Sequence, residues 1–229
     1  RAERQSPMNE PTPIRDVLKS IPLPPPPAAP PDGSAVLPAP EPSPEERQRQ
    51  YIRDMRESNF RQLCPPLYQQ TDPARLPQKH LAAVTAWKYG PKGLLLVGPT
   101  GTGKTRCAWQ LLRRLILSGR RVRAFDGLGW AVAVSEAFGK PDETESWLDH
   151  VCTADVLFID DLFKGKMTEA QELAAIGVFE RRTNHLLPVI VTMNSTGRMI
   201  LDRMTEQGRA DRGEPLIRRM GEFCEVIRF

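Results

Sequence analysis

GPTGTGKT, from Gly98 to Thr105, is the stretch of this chain that decides its fold. It fits the pattern G-x-x-x-x-G-K-[ST], in which a glycine-rich turn points several backbone N–H groups at phosphate oxygens. Before the loop, residues 93–97 form an apolar run that predicts a buried strand. After it, residues 104–117 carry apolar side chains at helical spacing, and a helix N-terminus attracts anions. Strand, loop and helix in this order favour a phosphate-binding loop over an ordinary glycine turn.

A nucleotide and its metal ion are the ligands that this loop predicts. Lys104 is expected to reach the β- and γ-phosphates of ATP, and Thr105 to offer its hydroxyl to Mg²⁺. The rest of the predicted phosphate cradle starts at Gly98 and comprises Pro99, Thr100, Gly101, Thr102, Gly103 and Arg106.

Composition divides the chain into a tail and a folded part. Of the 23 prolines among 229 residues, 14 lie in residues 1–45, with few aliphatic residues between them. Such a segment cannot bury enough apolar surface to offset its ordering entropy, so we predict a disordered tail over residues 1–42. A plain linker is favoured over a ligand for a proline-binding domain. The remainder is long enough for one α/β domain, predicted over residues 65–229.

Charge and cysteine usage limit the class of protein. The formal net charge of the whole chain is +4, and because the tail is slightly acidic the folded part carries about +6, which permits contact with nucleic acid. No apolar run reaches 18 residues, so no membrane span is predicted. The scattered cysteines form no C-x-x-C pair, which argues against structural zinc and favours a reducing cytoplasm; they are Cys64, Cys107, Cys152 and Cys224. Cys107 and Cys224 lie on apolar faces, as core residues do.

A basic amphipathic helix is predicted between the tail and the domain, over residues 43–64. Ser43 can cap it, Pro44 suits its first turn, and Glu46 completes a capping box. Its many arginines would allow it to dock on a partner protein or on a phosphate backbone. The alternative is a solvated helix packed on its own domain.

In the rest of the domain, apolar runs that predict strands alternate with segments whose apolar residues have helical spacing. Strands are predicted at 122–125, 155–161, 188–194 and 224–229, and helices at 78–89, 129–138, 168–186 and 214–222. This alternation predicts a parallel sheet with right-handed crossovers.

Polar residues at the ends of two of these strands predict the rest of the site. Asp160 and Asp161 end the apolar run that starts at Val156, at the carboxyl edge where ligands bind in open α/β sheets. We expect Asp160 to hold Mg²⁺ through water, and Asp161, on the opposite face of the strand, to orient or deprotonate the attacking water. Asn194 follows the next apolar run and is expected near the γ-phosphate, although a turn-forming Asn would also suit that position.

Two arginines on the last predicted helix are candidates for catalysis between subunits. Arg218 or Arg219 would serve as a finger that enters the site of a neighbouring subunit. A surface arginine pair is the alternative that the sequence leaves open.

A family resemblance becomes specific at this point. The segments GPTGTGKT, VLFIDDLFKGKMTE, PVIVTMNST and IRRMGEFCEVIRF resemble the AAA+ ATPase domain of the replicative-helicase loaders of the DnaC/DnaI type. The most specific part is the Asp-Asp pair followed by K-x-K-x-T. The resemblance covers roughly residues 60–229. It implies a five-stranded parallel core, ATP and Mg²⁺ binding, homo-oligomers formed with ATP, and contact with a DnaB-type ring helicase and single-stranded DNA.

The resemblance also assigns roles to residues. Lys104 and Thr105 match the Walker A pair, Asp160 and Asp161 the Walker B pair, Asn194 sensor 1 and Arg219 the arginine finger. Lys164 and Lys166, together with arginines of the folded part, become candidates for DNA phosphate contacts, and a solvated loop is the alternative for the two lysines.

Because the sequence stops at the predicted last strand, the helical lid is expected to be minimal or absent and hydrolysis slow. An IstB-type transposition helper and an ATP-gated adaptor with little hydrolysis remain alternatives. The K-x-K-x-T segment favours the loader over the transposition helper.

Overall fold

The structure, a computed structural model, describes residues 42–137, 141–163, 167–206, 208 and 210–229. The tail predicted over residues 1–42 lies outside this part of the chain except for its last residue. Lys164 and Lys166 also lie outside the described residues.

A five-stranded parallel sheet forms the centre of the domain, as the sequence predicts. Its strands are β1 (Gly93–Val97), β2 (Val122–Phe125), β3 (Val156–Ile159), β4 (Val189–Met193) and β5 (Cys224–Arg228). All neighbouring pairs are parallel, and the strand order across the sheet is β2-β3-β4-β1-β5. Because β1 lies between β4 and β5, the loop that follows it opens at the carboxyl edge, well inside the sheet.

Helices connect and flank the strands. They are α1 (Pro44–Leu63), α2 (Pro66–Gln69), α3 (Gln78–Ala86), α4 (Lys104–Leu117), α5 (Gly127–Ala137), α6 (Pro141–Cys152), α7 (Glu169–Asn184), α8 (Gly197–Glu206) and α9 (Ala210–Phe223). The sequence did not predict α2, α6 and α8, and the helix predicted at 214–222 starts earlier, at Ala210. A 3₁₀ turn, Pro73–Arg75, precedes α3.

The apolar residues of β1 divide between two cores, one on each face of the sheet. Leu94 and Leu96 pack with α4 and with Phe60 of α1, whereas Leu95 and Val97 pack with α5, α7 and α9. A strand buried on both faces has no polar face, which explains the unbroken apolar run. Cys107 and Cys224 are buried in these cores, as expected.

Helix α1 begins with the capping box that the sequence predicts and packs on its own domain through its second half. Ser43 Oγ accepts from the Glu46 N–H, and a Glu46 carboxylate oxygen accepts from the Ser43 N–H. Phe60 is buried with its ring edge on Trp109, at 6.3 Å between centroids. Arg56 donates to the carbonyl of Leu117 at the end of α4, at 2.9 Å. This packing fits the alternative in which the helix belongs to the domain, although its first half is exposed.

Candidate nucleotide-binding site

Glycines of the loop between β1 and α4 are required by its geometry. A Cβ on Gly98 would lie 2.6 Å from the carbonyl oxygen of Phe229, which is closer than real Cβ contacts come. Gly101 and Gly103 have φ values of +84° and +92°, in the left-handed region that other residues avoid. The two fixed glycines of the pattern therefore reflect a close backbone approach at Gly98 and a left-handed conformation at Gly103.

Lys104 is buried inside this loop, with 4% of its surface exposed. Its Nζ donates to the carbonyls of Gly98 at 2.8 Å and Pro99 at 2.7 Å. Burial lowers the pKa of Lys104, while the nearby charges of Asp161 and Asp160 act in the opposite direction. The loop thus holds an ammonium group close to two carboxylates.

Thr105 and Asp160 join the loop to the end of β3. The Thr105 hydroxyl donates to Asp160 Oδ1 at 2.8 Å. The hydroxyl of Thr192, from β4, donates to the same oxygen at 2.5 Å. Burial raises the pKa of Asp160 above its ordinary value, although the two hydroxyl donors oppose this shift.

Asp161 does not lie on a strand, so the prediction that the two carboxylates point to opposite strand faces is wrong. Strand β3 ends at Ile159, and Asp161 has a φ of +54° in the turn that follows. Its carboxylate Oδ1 accepts from Asn194 Nδ2 at 3.3 Å. The structure therefore brings Asp161 and Asn194 together through a left-handed turn.

The remaining loop residues are more exposed. The Thr102 hydroxyl donates to the Pro99 carbonyl at 2.9 Å, and Thr100 and Gly101 lie at the surface of the loop. The guanidinium of Arg106 donates to Thr71 Oγ1 at 2.9 Å and lies over the Tyr68 ring. The Arg106 side chain therefore contacts residues of its own chain beside the loop, Thr71 and Tyr68.

A cavity of about 570 Å³ opens beside the two aspartates at the carboxyl edge of β2 and β3. Carboxylates of Asp126, Asp160 and Asp161 line it together with Trp130, Phe163 and Gln171. Gly127 lies close to this turn, since a Cβ there would lie 3.2 Å from the Asp161 carbonyl oxygen. The site is thus open to solvent next to the acidic residues.

The two candidate finger arginines differ in their surroundings. Arg219 pairs with Glu180 of α7 at 3.0 Å, and 30% of its side chain is exposed. Arg218 is 71% exposed and lies 3.8 Å from Glu222, one turn along its own helix. In this chain Arg219 therefore lies against its own domain, and Arg218 faces solvent.

Sequence reasoning missed Thr192. It interrupts the apolar run of β4, and none of its surface is exposed. A buried hydroxyl requires a hydrogen-bond partner, and this requirement is the signal that the sequence offers.

The donor set at Thr105 and Asp160 fits Mg²⁺. This ion binds through one or two carboxylates and substrate phosphates and keeps several waters, and both residues present hard oxygen donors. Asn194 Oδ1 is buried and has no hydrogen-bond partner among the described residues, so one more oxygen lies next to the acidic pair. No group of three His, Cys, Asp or Glu side chains in the described ranges is arranged to hold a metal ion.

Known structures share the fold of this chain, whereas comparisons of its sequence with families and with curated proteins find no match. No family model matches the chain, and no curated protein matches it. Among solved structures, the chain is similar to DnaI, with 16% identity, a TM-score of 0.60, and coverage of 72% of this chain and 94% of that chain. It is also similar to the DnaC helicase loader, with 23% identity, a TM-score of 0.52, and coverage of 66% of this chain and 86% of that chain.

A replication initiator has the same fold. The DnaA structure bound to AMPPCP and single-stranded DNA is 16% identical with a TM-score of 0.52, and the match covers 68% of this chain and 46% of that chain. No helix in the described part of the chain is long and apolar enough to cross a membrane. With its parallel sheet and phosphate loop, the chain has the same fold as the DnaC helicase loader and as DnaI.

Proposed function

We propose that this protein is an ATPase that loads a replicative ring helicase onto single-stranded DNA. The hydrogen bond between Thr105 and Asp160 carries the proposal, because it joins the phosphate loop to the acidic end of β3. The contact between Asn194 and Asp161 supports hydrolysis by water rather than transfer to another acceptor. The fold shared with DnaC and DnaI supports the loading role.

Each residue of the site takes a distinct part in this proposal. The loop N–H groups and Lys104 bind the phosphates, and Thr105 and Asp160 hold Mg²⁺. The metal ion neutralises charge on the β- and γ-phosphates when it is bound. Asp161 orients the attacking water or accepts its proton, while Asn194 fixes the Asp161 carboxylate.

Hydrolysis has a direct test in the substitution Asp161→Asn. We expect ATP affinity to stay within about twofold and turnover to fall about 100-fold or more, because the general base is removed. Steady-state ATPase assays and nucleotide titration measure the two effects separately. Unchanged turnover would exclude Asp161 as the base.

Assembly with ATP brings a neighbouring subunit to the site, where we propose Arg219 as the finger. Its pairing with Glu180 means that Arg219 must exchange this partner during assembly. The exposed Arg218 provides the matched comparison. We expect Arg219→Ala to reduce turnover of the assembled protein about 1,000-fold with monomer ATP binding intact. If Arg218→Ala has this effect instead, the finger is one residue earlier.

The loading role is tested by asking which proteins this chain binds in the presence of ATP. We expect a ring helicase to co-purify with the protein in Mg-ATP and to dissociate without nucleotide. Single-stranded DNA should be retained in the same complex. Recovery of a transposase and duplex DNA instead would support the IstB-type alternative and contradict the loader.

An ATP-gated adaptor is the second candidate, favoured by one observation. Arg219 is engaged by Glu180 within its own chain, which is not the arrangement of a finger ready to act on a neighbour. In that case ATP would drive assembly without turnover. ATP-dependent oligomers with no phosphate release, even with helicase and DNA present, would support the adaptor.

A further inference from the structure

Thr192 is the buried polar residue nearest the acidic pair to which neither sequence reasoning nor the proposed function gives a role. It lies near the end of β4, between Val191 and Met193, and none of its surface is exposed. A valine would fill the same volume in this apolar strand without a polar atom to satisfy. The hydroxyl therefore requires an explanation beyond packing.

The hydrogen bonds of Thr192 connect it to three consecutive residues after β3. Its hydroxyl donates to Asp160 Oδ1 at 2.5 Å and accepts from the Asp161 N–H at 2.8 Å. Its carbonyl accepts from the Leu162 N–H at 3.0 Å. Because a hydroxyl both donates and accepts, one side chain binds a carboxylate and the backbone of the next residue at once.

The turn held in this way is strained. Asp161 and Phe163 have φ values of +54° and +64°, which residues other than glycine rarely adopt. Such conformations persist only where the surrounding structure fixes them. The bond from the Asp161 N–H to Thr192 is one of the contacts that fixes this turn.

The orientation of Asp161 is fixed by Thr192 on β4 and by Asn194 just beyond the end of that strand. Its N–H is held by Thr192, and its carboxylate by Asn194, two residues further along the chain. Both residues lie at the carboxyl end of β4, next to the turn after β3. Loss of the Thr192 hydroxyl would leave the carboxylate contact without its backbone support.

We propose that Thr192 is the positioning residue of the acidic pair, whose hydroxyl sets the geometry of Asp160 and Asp161 for Mg²⁺ and water. The catalytic part of this assignment rests on the proposed ATPase function. The structural part, that the hydroxyl holds the Asp161 N–H, stands without it and has its own measurement.

The test compares Thr192→Val, which keeps the shape and removes the hydroxyl, with Thr192→Ser, which keeps the hydroxyl. We expect the Asp161 amide of the nucleotide-free valine variant to exchange with deuterium about tenfold faster than in the wild type. The serine variant should retain the slow rate. Thr205→Val, which removes a hydroxyl that binds the Leu201 carbonyl of α8, is the matched control and should leave Asp161 unchanged.

Turnover is the second readout. In the valine variant kcat should fall about 10- to 100-fold while the dissociation constant for ATP stays within twofold, and serine should restore most of kcat. Thr192→Ala replaces valine if the valine variant does not fold. Unchanged exchange at Asp161 in the variant without the hydroxyl would overturn the proposal. Faster exchange in a protein whose wild type has no ATPase activity would support the positioning role and contradict the ATPase.

Discussion

Two buried cations at opposite edges of the sheet have different tasks. Lys104 lies at the carboxyl edge with 4% of its surface exposed, and Arg182 at the amino edge with none exposed. Both donate to backbone carbonyls, which carry no net charge. The number of carbonyls and the neighbouring charges distinguish the two.

The Arg182 side chain links the end of α6 to the residues just before β3 and β4. Its guanidinium donates at 2.9 to 3.4 Å to the carbonyls of Val151, Cys152, Ala154, Asp155 and Pro188. These belong to the end of α6 and to the residues just before β3 and β4. Burial lowers the pKa of Arg182 to about 10, although nearby negative groups oppose this shift. A planar fork with five N–H donors suits this fixed array, and the arrangement indicates a structural role.

Lys104 has fewer fixed contacts and lies near the acidic pair. Its two carbonyl acceptors belong to the glycine-rich loop, and its charge interacts with Asp160 and Asp161. A compact ammonium on a rotatable stem can exchange such partners for phosphate oxygens. We infer that Arg182 stabilises the sheet and that Lys104 binds the ligand.

The largest expected effect follows from removing Arg182. Arg182→Met should lower the free energy of unfolding by about 3–5 kcal/mol, because several buried carbonyls lose their donor at once. Urea unfolding followed by circular dichroism measures this change. Arg181→Met is the matched control on the preceding residue, where a partly exposed arginine pairs with Glu145 and Asp149, and it should cost about 1 kcal/mol or less. Equal losses in the two variants would contradict the structural role.

Removing Lys104 should have the opposite profile. We expect Lys104→Ala to weaken ATP binding about 100-fold, since a charge-assisted contact with the phosphates is lost. Its unfolding free energy should change by about 1 kcal/mol or less, because no rigid array depends on it. Calorimetric titration with Mg-ATP and urea unfolding provide the two numbers. Lys92→Ala, at an exposed position before β1, is the control and should alter neither quantity.

Sequence patterns predicted the parts of the fold where the signal is local. The five strands and helix α4 match their predictions because each is an apolar run or a helical stripe read directly from neighbouring residues. Helices α6 and α8 were not predicted, although both carry apolar residues at helical spacing, such as Trp147 and Val151 in α6 and Ile200 and Met204 in α8. With 12 and 10 residues, these helices lie at the short end of the window in which helical periodicity is detected.

The sequence also predicted which residue types form the candidate site, but it did not predict their geometry. The sequence places Asp160 and Asp161 at the end of a strand, and an extended continuation would separate their side chains. The left-handed turn at Asp161 depends on a hydroxyl 31 residues later in the chain, and Arg182 depends on carbonyls from α6 and from before β3 and β4. Contacts of this kind come from the tertiary structure, so a local pattern does not contain them.

The smallest expected effect concerns the pH dependence of stability. Asp155 and Asp160 lie at opposite ends of β3, and their effects on this pH dependence should have opposite signs because their pKa values shift in opposite directions. Burial raises the pKa of Asp160 at the carboxyl edge, so the folded protein binds this proton more readily than the unfolded chain. As the pH rises from the ordinary Asp pKa through the raised pKa of the folded protein, ionisation of Asp160 therefore lowers the free energy of unfolding. Asp160→Asn should remove this decline in the nucleotide-free protein.

Asp155, at the amino edge, provides the contrast that decides this prediction. Burial acts to raise its pKa, but hydrogen bonds from the Arg121 backbone and side chain outweigh burial and lower it. Its contribution is present above the ordinary Asp pKa and is lost as the pH falls through the folded pKa. Asp155→Asn should therefore destabilise the protein at neutral pH and flatten its acid limb, whereas Asp160→Asn should not destabilise it. Melting temperatures of both variants between pH 3 and pH 7 measure the difference, and parallel profiles would contradict the assignment of opposite shifts to the two edges.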